Sequence, residues 1–149
     1  MLVLSDFAER LNDLMIEKEN LSTNELAEII GVHRTTIARY LTGNKIPSVS
    51  SVIKLANYFN CTADYLLALQ DINQDRTFKQ CPPFDEQLKI LLEHFHTNRY
   101  KIYSTSEINA SLLDKWYHGQ FQPSIDNIIR LAKFFDCSVD YVLGRVEFE

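Results

Sequence analysis

The amino-acid sequence predicts an all-α protein made of two tandem five-helix domains joined by a short linker. Three observations carry this expectation. LANYFNCTADYLL (55–67) returns as LAKFFDCSVDYVL (131–143), an internal repeat with an offset of 76 residues. Apolar residues recur at helical spacing, punctuated by Ser/Thr N-caps and glycine stops. No segment sustains the strict alternation of a strand.

Length and composition fit that picture. A chain of 149 residues has room for one ordinary domain or two small ones. With 46% hydrophobic and 23% charged residues it reads as a packed protein, neither disordered nor fibrous. The start, MLVLSDFAERL, lacks the basic region of a signal peptide, and Asp6 and Glu9 interrupt its apolar run. No stretch approaches the ~18 apolar residues of a membrane span, so no membrane partner and a cytoplasmic location are expected. Cys61, Cys81 and Cys137 form no C-x-x-C pair and have no histidine at zinc-like spacing. They read as small apolar side chains, with no metal and no cofactor.

The repeat extends beyond its best-matched segment. Gly43 and Pro47 recur as Gly119 and Pro123, and Ile37 as Leu113. FAERLNDLM (7–15) is echoed by FDEQLKILL (84–92) at an offset of 77. Between the copies runs LQDINQDRTFKQCPP, polar and closed by Pro82 and Pro83, which oppose a continuous helix. The expected division is a first domain over 1–69, a linker over 70–83 and a second domain over 84–149.

Each element of the first copy has a local reason. Phe7, Leu11, Leu14 and Met15 mark one apolar helix face. Ser22-Thr23-Asn24-Glu25 has the form of a capping box and starts a second helix. Gly31, free to take positive φ, ends it. A third helix runs to about Leu41 and stops at Gly43. Ser48 caps a fourth, and Thr62 a short fifth carrying Tyr65, Leu66 and Leu67.

The second and third helices hold a helix-turn-helix pattern. Ala27 must be small where the next helix crosses, Gly31 turns the chain, and Ile37 and Tyr40 bury the inner face of the third helix. Its outer face then comprises His33, Arg34, Thr35, Ala38 and Arg39. A helix exposed in this way fits a major groove about 12 Å wide. Charge agrees: residues 29–63 contain Arg34, Arg39, Lys45 and Lys54 and no acid, in a chain of formal net charge −5. Such a face suits nucleic acid.

Residues 7–67 resemble the Cro/lambda-repressor-like (XRE) DNA-binding domain, through LSTNELAEIIGVHRTTIARYLTGNKIPS and the closing CTADYLL. The resemblance implies a five-helix bundle whose third helix reads bases through His33, Arg34, Thr35 and Arg39. It implies phosphate contacts from Ser22, Thr23, Thr42, Gly43, Asn44 and Lys45. Arg34 and Arg39 can each give two hydrogen bonds to guanine, Thr35 can meet a thymine methyl, and the free N–H groups opening the second helix can meet a phosphate. Thr23 stands where the family usually has Gln. His33 replaces the usual Ser or Thr, and either donates to a phosphate when protonated or caps the helix.

The second copy departs from this pattern. At the same offset Ala27 becomes Tyr103 and Gly31 becomes Glu107, so the turn must open, shift or be rebuilt. The reading-face counterparts are Asn109, Ala110, Ser111, Asp114 and Lys115, with Asp114 opposing phosphates. Of the chain's aromatics, 12 of 17 fall in residues 78–148. Trp116, in register with Tyr40, is expected in the core, and Tyr117 and Phe121 at an interface.

The expected function is a sequence-specific transcriptional regulator of repressor type, binding a palindromic double-stranded operator as a homodimer through two reading heads. The alternatives are a protein-interaction module, such as an antitoxin or prophage anti-regulator whose second domain captures a protein partner, and a chain whose two copies grip one DNA together. No enzyme is expected: no phosphate-cradling loop or nucleophile motif is present, and His94 and His96 stand two apart on a predicted helix.

Overall fold

The computed structural model describes residues 2–148 and contains ten α-helices and no strand among them. The chain divides into two compact units, Leu2–Arg76 and the part from Thr77 onward. No helix among the described residues is long and apolar enough to cross a membrane.

The first unit holds α1 (Leu4–Glu17), α2 (Thr23–Ile30), α3 (Arg34–Leu41), α4 (Val49–Phe59) and α5 (Ala63–Leu66). α1 buries the face anticipated from its spacing, with Phe7, Leu11, Leu14 and Met15 all in the core. α2 opens on a complete capping box: Ser22 Oγ accepts the Glu25 N–H at 3.1 Å, and Glu25 Oε1 accepts the Ser22 N–H at 3.2 Å. Those hydrogen bonds hold the Glu25 carboxyl below the usual carboxylate range. Gly31 closes α2 at φ 74°. A Cβ there would meet nothing within 4 Å, so backbone conformation alone selects glycine.

Phe7, Leu26, Ile37, Tyr40, Val52, Leu55 and Leu66 form the centre of this unit, each no more than 1% exposed. Burial of each large apolar side chain stabilises by roughly 1.5–3 kcal/mol. The Phe7 and Tyr40 rings meet edge-to-face at 5.8 Å, fixing α3 against α1. Arg10 lies 3.9 Å over the Tyr65 ring and donates to the Tyr65 and Gln70 carbonyls, tying the chain after α5 to α1.

The second unit holds α6 (Phe84–His94), α7 (Arg99–Thr105), α8 (Ala110–Tyr117), α9 (Ile125–Phe135) and α10 (Val139–Leu143). Ser124 and Ser138 cap α9 and α10 as Ser48 and Thr62 cap α4 and α5. α4 and α9 both end on a left-handed residue, Asn60 at φ 51° and Asp136 at φ 52°. Trp116 is 2% exposed and occupies the core, as Tyr40 does at 1%.

The altered turn is rebuilt in this unit. α7 stops at Thr105, and Ser106 leaves it in extended backbone at φ −121° and ψ 172°. The Ser106 hydroxyl donates back to the Ile102 carbonyl, and its oxygen accepts the Ile108 N–H at 3.3 Å. Glu107 is thereby spared a positive φ. Tyr103 turns outward, 37% exposed, where Ala27 is 3% exposed.

The stretch expected as a linker, 70–83, contains no helix but is held at both ends. Asn73 Oδ1 accepts the Thr62 N–H at 3.1 Å in the first unit. In the second, Lys79 N–H donates to the Arg145 carbonyl at 2.8 Å, and the Arg145 guanidinium lies 4.0 Å over the Phe78 ring. Arg145 is fully buried and pairs with Asp140 at 2.6 Å. Gly144, at φ 77°, sits in a cradle where a Cβ would fall 2.7 Å from Gln87 Oε1 and 2.8 Å from Pro82 Cδ. Residues 77–83 therefore pack with the second unit. α6 ends at His94, so the histidine pair does not share the helix: His96 lies beyond it at φ 51°, while His94 stacks on Phe148 at 3.8 Å.

Candidate nucleic-acid interface

α3 is an eight-residue helix whose polarity splits cleanly by face. Ile37 and Tyr40 point into the core, and His33, Arg34, Thr35, Ala38 and Arg39 are all exposed. The Arg34, Arg39 and Lys45 side chains enter no hydrogen bond, ion pair or ring contact among the described residues. Three cations thus have no counter-charge among the described residues, within an acid-free stretch.

His33 is the N-cap of α3. Its Nδ1 accepts the Thr35 N–H at 3.2 Å and lies 2.8 Å from Thr35 Oγ1. Of the two roles the sequence left open, the structure places the ring in the capping one. At the other end of α3, the Thr42 hydroxyl donates to the Arg39 carbonyl at 3.2 Å and the Asn44 amide donates to Thr42 Oγ1 at 3.0 Å. Gly43, at φ 73°, and the half-buried Lys45 complete this corner.

The opening of α2 differs in detail from expectation. The Ser22 and Glu25 N–H groups are already engaged in the capping box, with a carboxylate beside them. The Thr23 and Asn24 N–H groups remain for an incoming phosphate, together with the Ser22 hydroxyl proton. Ser22 is exposed and Thr23 half-buried.

The counterpart face in the second unit is electrically closed. Asp114 pairs with Arg99 at 2.9 Å. Arg99 also lies 3.9 Å over the Tyr117 ring, Lys89 4.9 Å from that ring, and Lys115 4.9 Å from the Phe121 ring. Asn109 Oδ1 accepts the Ser111 and Leu112 N–H groups at 2.8 and 3.3 Å. Tyr117 is half-buried beneath its two cations, whereas Phe121 is 54% exposed. Among the described residues no group of three or more His, Cys, Asp or Glu is placed to hold a metal ion.

Helices α2 and α3, joined by a left-handed glycine and held on a small bundle with an outward cationic face, define a helix-turn-helix protein. The helix-turn-helix family model matches residues 14–66. The chain is 30% identical over 95 residues to the cryptic phage CTXphi transcriptional repressor RstR of Vibrio cholerae, covering 58% of this chain and 85% of that one. It is 33% identical over 66 residues to the HTH-type transcriptional regulator AnsR of Bacillus subtilis, 44% of this chain and 56% of that one. It is also 34% identical over 55 residues to the HTH-type regulator YbaQ of Escherichia coli, 37% of this chain and only 49% of YbaQ's length. No solved structure matches the chain. The protein belongs to the XRE-type helix-turn-helix family of DNA-binding transcriptional regulators.

Proposed function

We propose that the protein is a sequence-specific repressor that reads the major groove with α3 and binds a palindromic operator as a homodimer. The observation that carries this is the partnerless trio of exposed Arg34, exposed Arg39 and half-buried Lys45 in a stretch without acids. Arg34 and Arg39 are both exposed on α3 and suit guanine O6 and N7. Lys45, Thr42, Gly43 and Asn44 at the end of α3, with Ser22 and Thr23 at the start of α2, take phosphates and fix register. The likeness to a phage repressor supports the repressing sign.

The second unit is read as a further copy of the domain that has given up DNA. Its Asp114 faces where phosphate must lie, and its cations are folded onto Asp114, Tyr117 and Phe121. Self-association is assigned to it, with Phe121 and Tyr117 at the contact. One head reads only a few base pairs, so two heads on half-sites about 34–36 Å apart supply the specificity. The setting is the cytoplasm, where the DNA lies.

Selection from a random duplex library tests the reading. A palindrome recovered by the whole chain, and lost with Arg34→Ala, supports it; no enrichment refutes it. Native mass spectrometry of the same protein separates a homodimer from capture of a different small protein.

A further inference from the structure

We infer that His33 fixes the direction of hydrogen bonding at Thr35, making Thr35 an acceptor-only reader that selects the orientation of one base pair. The inference rests on the DNA-binding reading of α3 but concerns what that helix asks of the bases.

Its basis is a proton count. Nδ1 of His33 accepts the Thr35 backbone N–H at 3.2 Å. A nitrogen that accepts an N–H carries no proton of its own, so on this proposal the ring hydrogen sits on Nε2. In that tautomer the hydroxyl donates across the 2.8 Å approach between the same Nδ1 and Thr35 Oγ1, the ring's one lone pair being shared between the hydroxyl and the N–H. The proton of Thr35 is therefore spent inside the protein. What the exposed side chain turns outward is an oxygen with lone pairs, beside an imidazole Nε2–H that can only donate. A free threonine hydroxyl tolerates either donor or acceptor on a base; this one accepts only.

In the major groove the donors are the amino groups of adenine and cytosine, and the acceptors are N7, guanine O6 and thymine O4. In that groove every base pair shows one amino group, on one side. Thr35 therefore prefers the orientation that turns that group toward it and disfavours the flipped pair by about 5-fold, the value of one net hydrogen bond. Nε2–H, a donor, suits a phosphate oxygen or a purine N7 next to it.

The second unit supplies a control for the cap. There Asn109 Oδ1 does the capping alone, accepting the Ser111 N–H at 2.8 Å. His33→Asn accordingly keeps a capped helix while releasing the Thr35 hydroxyl. Thr35→Val keeps the shape and methyl groups and removes the oxygen.

The test uses the full chain in two measurements. Long-range proton–nitrogen NMR of the His33 ring at neutral pH should show the Nε2–H tautomer; an Nδ1–H tautomer or an imidazolium overturns the inference whatever the DNA result. Selection from a random duplex library should then show one base pair whose orientation preference, about 5-fold in the wild type, vanishes in Thr35→Val with neighbouring positions unchanged, and relaxes in His33→Asn. A preference that survives both substitutions overturns the inference while leaving α3 as the reading helix. Loss of all enrichment in the wild type overturns the DNA-binding reading itself, and this inference with it.

Discussion

Arg99 reaches from α7 to within 2.9 Å of Asp114 on α8, neutralising the one acid on the face that would otherwise confront DNA in the second unit. In the first unit Ala38 stands in register with Asp114, and the exposed Arg34 and Arg39 have no acidic partner among the described residues. The same helical framework thus presents unspent charge once and cancelled charge once.

Arg34→Ala should weaken operator binding by about 1–3 kcal/mol and relax preference at one base pair. Binding isotherms on the selected operator and on its single-base variants check this. Unchanged affinity and preference would move the reading function away from α3.

Lys45→Ala should weaken binding to all duplexes alike and reduce the slope of log affinity against log salt by roughly one unit. Lys115→Ala should leave both quantities unaltered, because that side chain sits over Phe121. Equal effects of the two would mean that both units hold DNA.

Ser22→Ala removes the cap of α2 and should cost about 0.5–2 kcal/mol in urea unfolding. Glu25 gives the same box a pH signature. Its carboxyl is held low in the folded state by its hydrogen bonds with Ser22, so the unfolded chain takes up this proton first. The stabilisation is present above the ordinary carboxylate range and fades as pH falls through the folded value. Glu25→Gln should therefore lower stability at pH 7 and lose that effect near pH 3.

Asp140→Ala strips the partner from Arg145, which is fully buried, and should cost about 3–5 kcal/mol. A second-unit fragment beginning at Phe84 should be less stable than one beginning at Thr77. It lacks Phe78 under the guanidinium and the Lys79 hydrogen bond to the Arg145 carbonyl. Equal melting temperatures for the two fragments would show that the strap is idle.

Phe121→Ser should shift the sedimentation profile toward monomer and leave the affinity of a single head for a half-site intact. A dimer indifferent to this change must associate elsewhere on the chain.

Much of this was legible in the sequence because helix ends are local chemistry. Ser22, Gly31, Ser48 and Thr62 each act within a few residues of themselves, and each does what its side chain or lack of one requires. The outward face of α3 was legible for the same reason, since Ile37 and Tyr40 fix which side is buried. His33 was not settled, because capping and phosphate donation make identical demands on the sequence; the structure shows the cap, made through Nδ1. The strap over 77–83 was missed because Phe78 and Arg145 are distant along the chain, and a polar, proline-ended stretch carries no sign of what it lies against. Glu107 signalled that the second turn had to change, but the remedy, an extended exit through Ser106, depends on a hydroxyl folding back onto its own helix.

The acid-free stretch has a kinetic meaning as well. A chain of net charge −5 is repelled by a polyanion from most directions, yet Arg34, Arg39 and Lys45 give one side the opposite sign. On the proposed reading, the field of the duplex should draw the cationic face of α3 toward it before contact. Productive encounters should become rarer as ions shorten the reach of that field to about 8 Å at physiological strength.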